Sequence, residues 1–483
     1  MYDVLIAGAG VIGAMAAREL SRYQLSVLVL EKESDAAMGA SKANSGIIHA
    51  GYDPVPGTLK AEMNVKGAPL LFRAAKELNV PFRQCGALVV AFTPEEEETL
   101  KMLFERGRKN GVKRLALISG KEARHLEPAL SPEVTLALNV PKSGIISPYE
   151  LVIAALGNAM DNGVEFRTGF EIASVQKNDG VFSVKSKSGE EVKGKYFINC
   201  AGAFSDRVAK MAGDGFFTIL PRAGEYLLLD RSEGETVSRT VFQTPTAAGK
   251  GVLVTPTVHG NLLLGPTATP VSRPDDTKTS DGELEKVRSL AKKSVPSVDL
   301  SKTITSFSGV RASEKGRDFI LCRSEKVPGL IHAAAIDSPG LSSAPAIAQR
   351  IAQLLKESGA VLKKKPDWDP VRRDVYAFSK MTDEEKNAFI LSRPEYGKIV
   401  CRCEGISEGE ILDAIRQNPP AHDVDGVKRR VRAGMGRCQG GFCTPGVMAL
   451  LAGVWGVPME EITKKGGASK MVTGTMPGEE EKE

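Results

Sequence analysis

The chain has 483 residues, of which 42% are hydrophobic and 25% are charged, and its formal net charge is +5. This composition is typical of a globular protein of several domains, and so small a charge gives no indication of a nucleic-acid partner. No stretch approaches the roughly 18 apolar residues of a membrane-spanning helix, and no signal peptide precedes the first apolar run. We therefore expect a cytoplasmic protein without a transmembrane segment, for which peripheral membrane association stays open.

The first forty residues have the pattern of a dinucleotide-binding unit. An apolar run predicts a buried strand, GAGVIG follows at residues 8–13, and a helical stretch then leads to a second apolar strand that ends at Glu31. In this pattern Gly8 permits a tight turn, Gly10 lets the backbone approach a pyrophosphate, and Gly13 lets the helix pack on the strand. The Glu31 carboxylate suits the ribose of an adenine nucleotide. The motif alone does not choose between FAD and NAD.

Three later segments favour FAD. Residues 39–54, GASKANSGIIHAGYDP, predict a loop rich in Gly, Ser and Asn that contains His49. Residues 196–213 predict a strand, a turn of small residues and a helix, and residues 329–355 predict a strand, a Ser-Pro-Gly turn and a long helix starting after Gly340. The positive end of that long helix would stabilise the negative charge that a reduced flavin carries on its N1 side.

The motifs GAGVIG, SKANSGIIHAGYDP, INCAGAFSD, GEYLLLD, GPTA, SGVRAS and IDSPGLSSAPAIA together resemble the D-amino-acid-oxidase-like FAD oxidoreductases. More narrowly, they are similar to the branch of glycerol-3-phosphate dehydrogenases of the anaerobic type, glycerol-3-phosphate oxidases and L-2-hydroxyglutarate oxidases. The resemblance covers residues 1 to about 360. It implies an α/β FAD-binding Rossmann-like domain and an α+β substrate domain with an antiparallel sheet.

The resemblance also implies where these domains and the FAD contacts lie in the chain. The FAD-binding segments are expected at about residues 1–75, 140–215 and 310–360, and the substrate domain at about 75–140 and 215–310. The expected FAD contacts come from the glycine turn, the ribose acid, the loop before His49 and two later turns: Gly8, Gly10, Ile12, Gly13, Glu31, Ser41, Asn44, Ser45, Ala201, Gly202, Gly340, Leu341 and Ser342.

The resemblance and the chemistry of the side chains together suggest the reacting groups. His49 is one of five histidines, and a neutral imidazole beside a flavin can accept a hydroxyl proton while hydride leaves the adjacent carbon. Arg311 lies in SGVRAS, where relatives use the arginine to hold a substrate anion. Lys250 would add a second cation, which suits a phosphate dianion better than a carboxylate. Ser45 and Ser338 are candidate hydroxyl donors to the same anion.

Two further residues in PRAGEYLLLD, Arg222 and Tyr226, are weaker candidates, because their position equally suits support of the sheet. The implied substrate is a small anionic secondary alcohol. We expect sn-glycerol 3-phosphate, with dihydroxyacetone phosphate as the product. L-2-Hydroxyglutarate, or an amino acid such as sarcosine or proline, is the alternative substrate of a dehydrogenase or oxidase of the same family.

The composition changes after about residue 360. KKKPDWDPVRRD and a polar, helical stretch indicate a linker over residues 361–396, and a Gly- and charge-rich tail is expected over residues 461–483. Between them, residues 397–460 contain two cysteine pairs, CRC and CQGGFC, separated by thirty-four residues. SEGEILDAIRQ and TPGVMALLAGVWG predict helices, the first with a capping box at its start. Four clustered thiolates can bind zinc or iron–sulfur.

The cysteine spacing resembles the small helical [2Fe–2S] domain of the bacterioferritin-associated-ferredoxin type. The resemblance implies that the cluster ligands are Cys401, Cys403, Cys438 and Cys443, and zinc is the less favoured alternative because C-x-C is atypical of zinc sites. Such a cluster passes electrons one at a time, so the predicted partner is a second flavoprotein or another electron-acceptor subunit. A peroxide-forming oxidase and a non-catalytic redox or iron-sensing protein are the competing interpretations.

Overall fold

The computed structural model describes residues 1–245, 251–316 and 318–474. The chain divides into two compact units, one formed by residues 1–32 and 36–373 and the other by residues 33–35 and 374–483. Within the described ranges, every helix is either too short or too polar to cross a membrane.

The first unit contains both strands and helices, and several of its strands follow one another directly along the chain. Its strands are β1 (Tyr2–Ala7), β2 (Val27–Leu30), β3 (Ile47–Ile48), β4 (Phe82–Arg83), β5 (Ala87–Ala91), β6 (Ala116–Ser119), β7 (Leu136–Val140), β8 (Gly144–Ile146), β9 (Glu165–Arg167), β10 (Ile172–Asn178), β11 (Val181–Ser186), β12 (Glu191–Asn199), β13 (Leu220–Leu229), β14 (Thr240–Gln243), β15 (Leu253–Pro256), β16 (Leu262–Gly265), β17 (Thr269–Pro270), β18 (Thr303–Ser313), β19 (Ile320–Arg323) and β20 (Leu330–Ala334). Its α-helices are α1 (Val11–Leu20), α2 (Leu59–Glu77), α3 (Pro94–Lys109), α4 (Gly120–Leu126), α5 (Pro148–Asp161), α6 (Ser205–Met211), α7 (Asp281–Ser294) and α8 (Gly340–Glu357).

The first sheet is built around parallel strands. β12, β1, β2 and β9 lie side by side, and β20 pairs in parallel with the end of β12. The hairpin of β10 and β11 pairs with the start of β12, and β19 pairs antiparallel with β20. Along β1, Val4 and Ile6 join the core formed with α1, α5 and α8, whereas Leu5 joins a core on the opposite face. Burial on both faces explains the continuous apolar run, and the predicted α/β Rossmann-like architecture is confirmed.

The second sheet has nine strands, in the order β17, β13, β16, β15, β14, β5, β7 and β6, with β18 also paired to β13. Helix α7 covers one face, where Val287 and Ala291 pack with Val254 and Leu264. This sheet is the predicted substrate sheet, with one difference: β5 and β14 are parallel neighbours. They come from the two separate chain segments of this domain, so their pairing is not set by a hairpin and can take either direction.

A third, small sheet fixes the segment that precedes His49. Strand β3 pairs antiparallel with β8, which also pairs antiparallel with β4. Ile47 and Ile48 of β3 are buried, so the chain enters the His49 loop from a position that is held by both hydrogen bonds and packing.

The second unit is a small helical domain. Its elements are β21 (Ile399–Cys401), β22 (Ile406–Ser407), α9 (Ala377–Lys380), α10 (Asp383–Ser392), α11 (Glu408–Arg416), α12 (Val424–Val431) and α13 (Thr444–Trp455). The predicted capping box is present, because Ser407 Oγ accepts from Glu410 N at 3.3 Å while the Glu410 carboxylate accepts from Ser407 N at 2.9 Å. Ile411, Val427 and Leu451 bring α11, α12 and α13 into one core.

Candidate functional site

The GAGVIG turn requires glycine at two positions. Gly8 has φ +99°, and a Cβ there would lie 2.6 Å from Cys200 O. A Cβ on Gly13 would lie 1.9 Å from Gly8 O, closer than atoms in contact allow. Gly8 N donates to Leu30 O at 2.7 Å. The turn therefore lies where β1, β2 and β12 end, at the edge of a parallel sheet where nucleotides bind.

We expect Gly13→Ala to remove FAD from the purified protein, because the added Cβ cannot be placed without moving the turn backbone. FAD content per chain, measured from the flavin absorbance near 450 nm, should fall to about one-tenth or less, since the phosphate-binding turn is lost. Gly39→Ala is the matched control, because a Cβ at Gly39 meets no atom within 4 Å. Full FAD content in Gly13→Ala would contradict this role of the turn.

Two side chains predicted to contact FAD hold the turn in place. The Glu31 carboxylate accepts from Ala9 N at 2.8 Å, and Ser41 Oγ accepts from Val11 N at 2.9 Å. Glu31 directly follows β2, so its carboxylate lies beside the glycine turn, as the ribose assignment requires. The side chain of Ile12 belongs to the core, so a contact from this residue to a nucleotide would come from its backbone.

The loop before His49 is braced from within. The Asn44 amide nitrogen donates to the carbonyls of Ala40 and Ser41, at 3.1 Å each, and its oxygen accepts from Gly46 N at 2.9 Å. Asn44 therefore shapes the loop through both ends of its side chain. A role of Asn44 toward FAD would therefore be indirect, because its side chain shapes the loop that presents Ser45.

The two later turns lie at strand ends of the same sheet. Gly202, after β12, has φ +56°, and a Cβ there would meet no atom within 4 Å. The Cα of Ala201 lies 3.2 Å from the position of a Cβ on Gly8, so the two turns are neighbours. Helix α8 begins at Gly340 without a capping side chain, and Gly340 N donates to Asp337 O at 2.6 Å. The first turn of this 18-residue helix carries the positive end of its dipole. Leu341 lies in its first turn, where the backbone N–H groups point out of the helix end.

Ser342 connects α8 to His49. Its buried hydroxyl accepts from His49 N at 2.8 Å and donates to Ile47 O at 3.2 Å. The side chain is thus engaged in positioning the His49 backbone, which the sequence assignment of Ser342 as an FAD contact does not anticipate. An FAD contact from Ser342 would come from its backbone.

His49 is held at both backbone polar groups, and its imidazole packs against an aromatic ring. Asn64 Nδ2 donates to His49 O at 2.9 Å, which complements the bond from Ser342. The imidazole lies 5.8 Å from the ring of Phe242, centroid to centroid. His49, Tyr52, Asn64 and Pro339 line one crevice. The backbone bonds fix the position of the residue without using either ring nitrogen.

Arg311, Tyr226 and Ser45 meet on one face of the substrate sheet. The Arg311 guanidinium lies over Gly224, where a Cβ would be 2.6 Å from its Nη2, and its Nη1 donates to Thr267 O at 3.2 Å. Burial raises the pKa of the Tyr226 phenol, and hydrogen bonds with Arg311 and Ser45 partly offset this effect. A phenol kept protonated at neutral pH remains a hydrogen-bond donor.

A close approach of the backbone brings the loop of residues 41–45, the predicted flavin loop, to this face. A Cβ on Gly309 would lie 2.0 Å from Ala43 O, so only glycine lets the loop carrying Ser45 pack on β18. The alternation in PRAGEYLLLD places Arg222 and Tyr226 on one face of the strand. The sequence does not show that Arg311 lies on the neighbouring strand. Lys250 lies outside the described residues, and Ser338 lies two residues before the start of α8.

The four late cysteines lie in two neighbouring loops of the second unit. The Cys403 sulfur is 3.9 Å from the Cys401 sulfur and 3.8 Å from the Cys438 sulfur, close to the spacing of two thiolates on one tetrahedral metal with bonds of about 2.3 Å. Hydrogen bonding with Cys443 lowers the pKa of Cys401 to about 5. Backbone N–H groups of Phe442 and Gly440 lower the pKa of Cys438.

The thiols form a chain of contacts, from Cys443 to Cys401, Cys403 and Cys438. Within the described residues, no three or more His, Cys, Asp or Glu side chains are arranged around a single ion. Four neighbouring thiolates can hold either one zinc ion or the two iron ions of a [2Fe–2S] cluster. The arrangement is compatible with the predicted [2Fe–2S] cluster.

Two further residues, neither of them predicted from the sequence, hold these loops. Arg432 Nε donates to the Glu404 carboxylate at 2.9 Å, and both side chains are buried. Glu404 follows Cys403, and Arg432 follows α12, so this ion pair ties the CRCEG segment to the second cysteine loop. Gly436 leaves room for the Cys403 side chain, because a Cβ there would lie 2.5 Å from the Cys403 sulfur.

Two family models match the chain. Residues 3–354 match the model described as FAD dependent oxidoreductase, and residues 399–453 match the BFD-like [2Fe-2S] binding domain. A glycerol 3-phosphate dehydrogenase from Caloramator mitchellensis is 44% identical over 99% of this chain and 100% of its own length. A glycerol 3-phosphate oxidase from Mycoplasma genitalium is 33% identical over 76% of this chain and 97% of its own. Human mitochondrial L-2-hydroxyglutarate dehydrogenase is 32% identical over 55% of this chain and 61% of its own.

Solved structures show the same fold for the first unit. A dithionite-reduced L-alpha-glycerophosphate oxidase from Mycoplasma pneumoniae, with FAD bound, superposes with a TM-score of 0.73 and 33% identity, covering 77% of this chain and 98% of that chain. A glycine oxidase from Geobacillus kaustophilus has a TM-score of 0.67 at 23% identity, which supports the fold alone.

Proposed function

This chain belongs to the family of FAD-dependent oxidoreductases and carries a BFD-like [2Fe-2S]-binding domain, and we propose that it oxidises sn-glycerol 3-phosphate to dihydroxyacetone phosphate. The carrying observation is the 44% identity to a glycerol 3-phosphate dehydrogenase over 99% of the chain, which includes both modules. The human relative named L-2-hydroxyglutarate dehydrogenase is 32% identical over 55% of the chain, and the mouse relative of that name is 28% identical over 72%.

In the proposed site the substrate is held by its phosphate and deprotonated at its secondary hydroxyl. Arg311, Tyr226 and Ser45 lie together on the sheet face and donate hydrogen bonds to the phosphate, with Lys250 and Ser338 as further donors. The His49 imidazole accepts the proton of the C2 hydroxyl. When bound, FAD supplies the acceptor for the hydride that leaves C2, and the cluster supplies transfer of single electrons.

The residues of the first unit would hold FAD through the glycine turn and two helix ends. The adenosine half of FAD would be bound by Gly8, Gly10, Gly13 and Glu31. The flavin half would be bound by the loop of residues 41–45, the turn at 201–202 and the start of α8. The uncapped N-terminus of α8 provides positive partial charge for a reduced flavin.

The four cysteines of the second unit would hold the cluster, and their role implies an acceptor other than oxygen. A flavin releases two electrons and a [2Fe–2S] cluster takes one at a time, so a cluster suits transfer to a second flavoprotein or another acceptor subunit. Slow peroxide formation in air, compared with fast turnover on a one-electron acceptor, is the expected behaviour.

Anaerobic flavin bleaching tests the substrate. We expect sn-glycerol 3-phosphate to bleach the flavin band near 450 nm completely within seconds, and L-2-hydroxyglutarate, sarcosine and proline to leave it unbleached on that timescale. Formation of dihydroxyacetone phosphate, measured in the same samples, should match the flavin reduced. Bleaching by L-2-hydroxyglutarate and none by glycerol 3-phosphate would overturn the assignment in favour of the alternative substrate.

A further inference from the structure

The sheet face that carries Arg311 has a second arginine directly beside it. Arg222 of β13 is the register partner of Arg311 of β18, and register partners on antiparallel strands point to the same face. Arg222 Nη2 donates to Ala268 O at 3.0 Å, and Arg311 Nη1 donates to Thr267 O at 3.2 Å. The two guanidinium groups are therefore anchored to consecutive carbonyl groups of one segment.

This arginine pair lies between the two loops expected to border the substrate. Gly309, two residues before Arg311 on the same face, packs against Ala43 of the flavin loop. Ser313, two residues after Arg311, donates to the Asp337 carboxylate at 3.0 Å, in the turn that leads into α8. Because alternate residues of a strand point to the same face, the arginine pair lies between the contacts made by Gly309 and Ser313.

Two guanidinium groups side by side on one sheet face concentrate positive charge where an anion can bind. A guanidinium presents a planar fork that pairs with two oxygens. One fork therefore satisfies a carboxylate, whereas two adjacent forks suit the three oxygens and double charge of a phosphate group.

We propose that Arg222 is the second arm of an anion clamp with Arg311 and that it determines the preference of the site for a phosphate dianion over a carboxylate. The inference rests on the proposed function, because it assigns the phosphate of the substrate to this face. It gives Arg222 a binding role that does not depend on sheet support.

The test compares two anions in the FAD-loaded, full-length enzyme. Inorganic phosphate and glycolate are titrated as competitive inhibitors of flavin reduction by glycerol 3-phosphate in the wild type, Arg222→Gln and Arg222→Lys. Arg222→Gln should weaken phosphate binding about 10- to 100-fold, the loss expected for a charge-assisted hydrogen bond, and glycolate binding less than threefold. Arg222→Lys, with the charge but not the fork, should be intermediate. Arg288→Gln, on the exposed face of α7, is the matched control.

The outcomes separate this inference from the proposed function. If glycerol 3-phosphate does not reduce the wild-type flavin, the proposed function fails whatever Arg222 does. If the wild type is reduced and Arg222→Gln binds phosphate as tightly as the wild type, the clamp is wrong. Equal weakening of phosphate and glycolate would overturn the specificity role. If Arg222→Gln does not fold, an unchanged phosphate-to-glycolate ratio in Arg222→Lys overturns it.

Discussion

Replacing His49 with alanine is expected to slow flavin reduction by glycerol 3-phosphate about 10²- to 10⁴-fold, the usual contribution of a positioned general base. The reason for expecting a loss of rate without loss of structure lies in the hydrogen bonds of this residue. Ser342 and Asn64 bond to the backbone N and O of His49, and alanine keeps both groups. The measurement is the stopped-flow rate of bleaching at 450 nm under anaerobic conditions.

Two variants sharpen this experiment. His49→Gln keeps a polar side chain of similar size against Phe242 but cannot act as a base near neutral pH, so it should be as slow as His49→Ala. His125→Ala is the control, because His125 is exposed on α4. The flavin of this variant should be reduced at the wild-type rate. FAD content should be the same in all three proteins. A wild-type rate in His49→Gln would assign the proton to another group.

The glycine turn and the capping box could be read from the sequence because both depend on residues close together in the chain. A Cβ at Gly13 would strike Gly8 O, five residues away, and Ser407 and Glu410 bond across a single helical turn. Such contacts are fixed by local geometry alone, so a motif of a few residues predicts them.

The anion-binding face could be read only in part. The alternation of PRAGEYLLLD puts Arg222, Gly224 and Tyr226 on one side of a strand, but gives no sign of which strand lies opposite. The register partner of Arg222 is Arg311, which lies far along the chain. Only the strand pairing in the folded protein shows that the two arginines are neighbours. The roles of Ser342 and Asn44 were hidden for a similar reason, because their hydroxyl and amide groups bond to backbone atoms.

The buried ion pair beside the cysteines could not be predicted from the sequence either. Glu404 and Arg432 are separated by a helix–turn–helix segment, and charged residues are ordinarily exposed. Only the folded second unit shows that both side chains are buried and paired. The cysteines themselves are a stronger signal, because thiolate spacing is constrained by metal geometry.

Cys403→Ser is expected to remove the iron–sulfur cluster while leaving substrate oxidation by the flavin intact. Cys403 is the thiol in contact with both Cys401 and Cys438, so its replacement removes a predicted cluster ligand that contacts two of the others. Iron content should fall to about one-tenth or less of the wild type, because metal binding and the local fold are coupled. The electron paramagnetic resonance signal of the reduced cluster should disappear with it.

The flavin provides the internal control for this variant. Glycerol 3-phosphate should bleach the flavin of Cys403→Ser at the wild-type rate, whereas turnover on a one-electron protein acceptor should fall at least tenfold, since the single-electron carrier is missing. Cys322→Ser, in β19 of the first unit, is the matched cysteine control and should keep both activities. One zinc ion per wild-type chain, in place of two iron and two sulfide, would contradict the assignment, as would full iron content in Cys403→Ser.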